Sequence, residues 1–275
     1  GKYTLEKLLH IPVEACLASE FRYSEPLLGE STLVIVISQS GETLDSMAAL
    51  REAKRRGSKV LSIVNVMGSS IARESDYVLY TWAGPEIAVA TTKAYTTQMV
   101  LLIMQGVYLS RELEQIEQEE YDAIVEGLLR LPEQIKQVLN ELDNYQKIAS
   151  RYFNHNSVFY IGRNLDYALG LEGSLKLKEI SYIHSESYAA GELKHGTISL
   201  IEPGTLVVAL ATYAPLVEKS LSNIVEVKSR GAEVIALTTD KTVNTISSQT
   251  SEMFVIPEVQ AILQPVLGVI PLQLF

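Results

Sequence analysis

The sequence predicts an α/β protein built from two repeated units, each a parallel sheet flanked by helices in three α/β/α layers. Three observations carry this. Short apolar runs of strand length alternate with helix-length amphipathic stretches, the pattern of a parallel sheet covered by helices. The runs are almost continuously apolar, as strands buried on both faces are. The same order of segments then occurs twice along the chain.

Taken in order, residues 32–37 (TLVIVI) read as a buried strand. Residues 43–56 follow as a helix, with Leu44, Met47, Ala48 and Leu50 spaced near 3.6 and Gly57 closing it. Residues 59–64 and 77–80 are the next strands, and 92–109 form a long, largely apolar helix. Between 112 and 152 the composition turns to Glu, Gln and Leu, strand signals vanish, and one proline, Pro132, occurs. That stretch is expected to be two helices linking two domains, its charge a solvated face. Residues 157–163 open the second unit with a strand and turn, 171–183 read as a helix, and 205–211 as a strand.

The repeat can be followed residue by residue. Lys54-Arg55-Arg56-Gly57 matches Lys228-Ser229-Arg230-Gly231, and Pro85-Glu86 matches Pro257-Glu258. At that last offset Leu5, Leu8, Ile11 and Glu14 match Leu177, Ile180, Ile183 and Glu186. Gly1 then aligns with Gly173, so the strand at 157–163 has no counterpart in the first unit. Phe275 aligns with Ile103, inside the first unit's long helix. The expected domains are 1–111, lacking a first strand, a helical linker at 112–152, and 153–275, lacking its C-terminal part. The chain is thus expected to be cut at both ends.

Composition excludes several classes. No apolar run reaches the roughly 20 residues of a membrane span, and no basic-then-apolar signal opens the chain. Cys16 is the single cysteine, which rules out an internal disulfide and fits a reducing cytoplasm. It is expected to be a small buried apolar residue. A formal charge of −10 argues against nucleic acid, which needs clustered Lys and Arg. His10, His155, His184 and His195 are scattered without ligand spacing, so neither a metal nor another cofactor is expected.

Ser38-Gln39-Ser40-Gly41-Glu42-Thr43 stands where a buried strand ends and a helix begins. Three hydroxyls, an amide and a glycine turn meet the positive end of the helix dipole, which suits a small phosphorylated ligand. The carboxyl ends of parallel strands are also where open α/β sheets bind ligands. The spacing is not that of a Walker loop. The alternative is a capping box in which these hydroxyls merely finish the helix. The second unit has Ala211-Thr212-Tyr213-Ala214-Pro215 at the same place, so only one copy keeps the hydroxyl-rich loop. Val89-Ala90-Thr91-Thr92-Lys93 opens the long helix, where the threonines are either caps or ligand contacts. Lys176 and Glu179, three apart, share a helix face. Such a pair is commonly a surface ion pair, and His195, in a glycine-bounded polar loop, commonly a structural histidine. Both are also suited to proton transfer.

Four segments carry a family resemblance: Ser38–Thr43, Val89-Ala90-Thr91-Thr92-Lys93-Ala94-Tyr95-Thr96-Thr97-Gln98, the stretch 175–184 (LKLKEISYIH), and Ala189-Ala190-Gly191-Glu192-Leu193-Lys194-His195-Gly196. Together they resemble the isomerase half of bacterial glucosamine-6-phosphate synthases, along nearly the whole chain. The first segment is shared by sugar isomerase (SIS) domains in general; the last two are more specific. The resemblance implies two SIS domains acting on fructose 6-phosphate and glutamine-derived ammonia to give glucosamine 6-phosphate. It implies that Ser38, Gln39, Ser40 and Thr43 hold the phosphate, and that Val89 and Thr91 touch the sugar. Glu179 would move the proton between sugar carbons 1 and 2 with Lys176 beside it. His195 would promote ring opening from the neighbouring subunit of a homodimer. The family's first-strand phosphate loop, its C-terminal Schiff-base lysine and its N-terminal glutaminase domain have no counterpart here, so the chain is expected to be incomplete for catalysis. Two other readings stay open: a SIS-type sugar-phosphate deaminase or deglycase, and a non-catalytic sugar-phosphate-binding module.

Overall fold

A computed structural model describes residues 1–275, which divide into two units, Gly1–Leu109 and Ser110–Phe275. In the first, α1 (Lys2–Leu9) and α2 (Ala18–Phe21) precede β1 (Leu33–Ser38), α3 (Leu44–Arg55), β2 (Lys59–Val64), α4 (Ser70–Glu74), β3 (Tyr77–Tyr80) and α5 (Lys93–Glu112). The strands form one parallel sheet in the order β1-β2-β3, with Ser38 level with Val64 and Val64 level with Tyr80. All three strands therefore end at one edge. Met47, Leu50 and Ala53 of α3 pack with Val36, Val60, Val64 and Ile71 in the core. Gly57 takes φ +90° to end α3, a conformation glycine adopts without steric cost. Leu5 and Leu8 of α1 lie against Gly106 of α5, where an added Cβ would meet their methyls at 3.1 and 3.0 Å.

The second unit contains α6 (Gln118–Leu139), α7 (Leu142–Tyr152), β4 (Ser157–Gly162), α8 (Leu165–Ser181), β5 (His184–Ala189), β6 (Leu206–Ala211), α9 (Val217–Ser229), β7 (Glu233–Thr239), α10 (Val243–Ile246), β8 (Glu252–Ile256) and α11 (Gln264–Leu274). Its five strands are all parallel, in the order β5-β4-β6-β7-β8. The central strand β6 is buried at every position, and each such Leu or Val contributes about 1.5–3 kcal/mol by leaving water. The strands β6, β7 and β8 are the counterparts of β1, β2 and β3.

The helices α6 and α7 belong to the second unit, and both pack on α11. Pro132 lies inside α6 without ending it; the break falls at Asn140–Glu141. Tyr145 of α7 meets Phe254 of β8 edge-on, ring centres 5.3 Å apart.

Cys16 is exposed, against the expectation of burial. Residues 12–17 are irregular where the repeat has β5. They are not among the strands β1-β2-β3 of the first sheet. The segment therefore joins no sheet and its side chains reach solvent.

Candidate functional site

The first cluster is the turn from β1 to α3. Ser38, the last residue of β1, is buried, and its Oγ accepts the N–H of Gly41 at 3.0 Å and lies 3.2 Å from Thr43 Oγ1. Ser40 Oγ accepts the N–H of Glu42 at 3.2 Å. Thr43 stands at the N-cap of α3, but its hydroxyl makes no capping bond. The simple capping box is therefore not formed; the hydroxyls shape the turn instead. Gly41 has φ +67°, and a Cβ there would meet Ser69 Oγ at 2.1 Å, so no side chain fits. Glu42, the one acid in the loop, accepts the N–H of Ser70 at 2.8 Å. Those bonds to Ser70 hold its carboxyl below the usual range and tie its charge to the start of α4. What remains at the turn is hydroxyls, backbone N–H groups and the positive end of a 12-residue helix, an arrangement that favours an anion.

The second loop of this unit runs from β3 to α5. Thr91 is half-buried, and its N–H bonds Val89 O at 2.9 Å. The Val89 side chain is 92% exposed. Glu86 accepts the N–H of Ala94 at 3.2 Å and so caps α5. Asn65, which follows β2, was not singled out from the sequence, yet it joins the two loops. Its N–H bonds Gln39 O at 3.1 Å, its Nδ2 bonds Gly84 O at 2.7 Å, and its Oδ1 accepts from Thr81 and Ala83.

In the second unit, Lys176 and Glu179 share a face of α8 as their spacing implies, with Nζ to Oε2 at 2.5 Å. Lys176 is only 4% exposed while Glu179 is open to solvent, so the pair ties a buried lysine to a surface carboxylate. Glu172, one turn earlier, brings a second carboxylate to 3.5 Å of the same Nζ. Burial pushes the Glu172 carboxyl up, against the pull of Lys176. Sequence reasoning missed Glu172, although its i,i+4 spacing to Lys176 could have revealed it. The Lys176 ammonium is thus held by two carboxylates of unequal burial on its own helix.

His195 ends a single 3-10 turn, Leu193–His195. Leu193 anchors that turn in the core, while the His195 side chain is exposed. Gly191 of the same loop backs onto the guanidinium of Arg163, where a Cβ would meet Nη2 at 3.0 Å. The loop is thus fixed from beneath and offers its imidazole outward.

The SIS domain family model matches residues 1–105 and 151–275. The chain belongs to the SIS-domain family. Among its relatives, the glutamine–fructose-6-phosphate aminotransferase (isomerizing) of Clostridium tetani is 52% identical over 275 residues. That of Thermus thermophilus is 44% identical over 274 residues. The chain covers 45% of each of these relatives, a little under half their length. The solved C-terminal domain of glucosamine-fructose-6-phosphate aminotransferase from Francisella tularensis is 35% identical, with a TM-score of 0.96 over 99% of this chain and 77% of that one. Glucosamine-6-phosphate deaminase from Thermotoga maritima, at 23% identity and a TM-score of 0.75 over 99% of this chain and 77% of that one, shares the SIS fold alone. No helix of this SIS protein is long and apolar enough to cross a membrane.

Proposed function

We propose that this chain is the isomerase part of an aminotransferase that converts fructose 6-phosphate and glutamine-derived ammonia into glucosamine 6-phosphate. The observation that carries the reading is the Glu172–Lys176–Glu179 array on α8, its lysine buried and Glu179 open to solvent, in a chain so similar to isomerizing aminotransferases. Isomerisation needs a proton moved between two adjacent sugar carbons, and a carboxylate within reach of both serves for that. Glu179 takes the proton from carbon 1 and returns it to carbon 2, or the reverse. Lys176, flanked by two acids, stabilises Glu179 as the carboxylate before it takes the proton and after it gives it up. Ser38, Gln39, Ser40 and Thr43 hold the phosphate at the start of α3, and Val89 and Thr91 meet the sugar. His195 donates a proton to the ring oxygen during opening, in the site of a neighbouring subunit, so the working form is a homodimer. The ammonia comes from an N-terminal glutaminase domain, and the setting is the cytoplasm.

The phosphate assignment is tested by calorimetry with fructose 6-phosphate. Replacing Ser38→Ala together with Ser40→Ala should weaken binding about tenfold or more, the worth of one or two hydrogen bonds to a charged group. The double variant should also unfold slightly more easily, because Ser38 Oγ holds the N–H of Gly41. Unchanged affinity would remove the turn from the phosphate site.

A further inference from the structure

The turn after β6 is the repeat's counterpart of the turn after β1, yet it lacks the serines and the glycine. The two N–H groups that follow the strand are those of Thr212 and Tyr213, matching Gln39 and Ser40 of the first unit. In the first unit no protein group accepts a hydrogen bond from the N–H of Gln39 or Ser40. In the second, both matching N–H groups point at one carboxylate. Asp166 Oδ2 accepts from Thr212 N at 2.9 Å and from Tyr213 N at 3.0 Å, while Oδ1 accepts from the Thr212 hydroxyl. Asp166 is 2% exposed.

We propose that the Asp166 carboxylate fills, in the second unit, the strand-end anion position at which the first unit's turn would take a sugar phosphate, so that the second unit is closed to phosphorylated ligands by its own side chain. This rests on reading the β1–α3 turn as the phosphate site. A buried carboxylate is costly unless donors surround it, and here three do. Burial pushes its pKa up, and the bonds from Thr212 and Tyr213 oppose that shift. The delivery of Asp166 is also built with backbone strain. A Cβ on Gly162 would lie 2.6 Å from the carbonyl carbon of Asp166. Asn164, between them, takes φ +54° and ψ −119°, outside the regions that side-chain-bearing residues favour. The turn from β4 into α8 is thus bent to lodge one acidic side chain at the end of β6. At the strand end the two copies then differ in how an anion is supplied: the first turn takes it from a ligand, and the second has internalised the charge as Asp166.

The test is amide NMR of Thr212 and Tyr213 during titration with inorganic phosphate. In the unaltered chain both signals should stay put. In Asp166→Gly both should move with a saturable dependence on phosphate, and likewise with formate, a free carboxylate of the same chemistry. Saturable movement in the unaltered chain would overturn the proposal. So would a folded Asp166→Gly chain whose two amides ignore both anions, the outcome expected if Asp166 only braces the turn. Should Asp166→Gly fail to fold, Asp166→Asn keeps the size and removes the charge. Its Thr212 and Tyr213 amides should then exchange with deuterium about tenfold faster, the difference between a charged and a neutral acceptor, and unchanged exchange would refute the carboxylate's role. These signals lie in the second unit, so their outcome is separate from the fructose 6-phosphate calorimetry, which tests the first-unit turn.

Discussion

A lysine ammonium inside a protein costs several kcal/mol unless its partners are well placed, and Lys176 is accommodated because Glu172 and Glu179 face it. Removing the cation strands two acids. Lys176→Met should therefore cost about 3 kcal/mol in urea unfolding near pH 8, the low end for breaking a buried pair, since Glu179 retains a water-facing side. The cost should shrink toward pH 5. The carboxyl of Glu172 is already raised by burial, and losing Lys176 raises it further. A carboxyl raised in the folded state favours folding fully below its unfolded value and loses that contribution as pH rises through its folded value. The variant's deficit should thus be small in acid and open upward from about pH 4.5, the ordinary value for a glutamate. A deficit independent of pH would mean that Glu172 does not respond to Lys176.

At the scale of elements, the β1–α3 turn depends on one glycine and one serine that face each other. Gly41→Ala meets two separate obstacles, a positive φ and a clash with Ser69 Oγ and Cβ at 2.1 and 2.5 Å. The φ component alone is worth about 1–2 kcal/mol; the clash adds to it. Combining Gly41→Ala with Ser69→Gly should recover the clash component and leave the backbone one, as a double-mutant cycle in thermal unfolding would measure. Strict additivity of the two changes would show that the side chains do not collide. Elements of this kind were largely readable in advance. The strands at 59–64 and 77–80 fall where their apolar runs lie, and β1 and β6 each start one residue later than their runs. The fold is legible because a strand buried on both faces must be apolar throughout. Pro132 shows the opposite case: a breaker in sequence is tolerated inside α6, and the helix ends seven residues later at Leu139. The site was half legible. Spacing along one helix brought Lys176 to Glu179, and a strand-to-helix turn gathered Ser38 to Thr43. Asn65 and Asp166 act on loops reached only through the sheet order, and the burial of Lys176 depends on what packs over α8. None of these has a local signal.

For the whole molecule, the exposed His195 and the pair of buried Lys176 with Glu179 raise the question of whether one chain supplies a complete set of groups. The proposed homodimer gives a definite answer that mixing can test. Let one full-length chain carry His195→Ala and another Glu179→Gln, each inactive by itself in forming glucosamine 6-phosphate. If His195 serves the partner's site, a mixed dimer has one site with both lesions and one with neither. Random exchange makes half the dimers mixed, each with one intact site of two, so about a quarter of the unaltered activity should return. If His195 serves its own chain, each site of a mixed dimer keeps one lesion and nothing returns. The readout is product formation after exchange has been verified with two differently tagged chains. A mixture that has exchanged and stays inactive would rule out the shared site, and would place ring opening and proton transfer within a single chain.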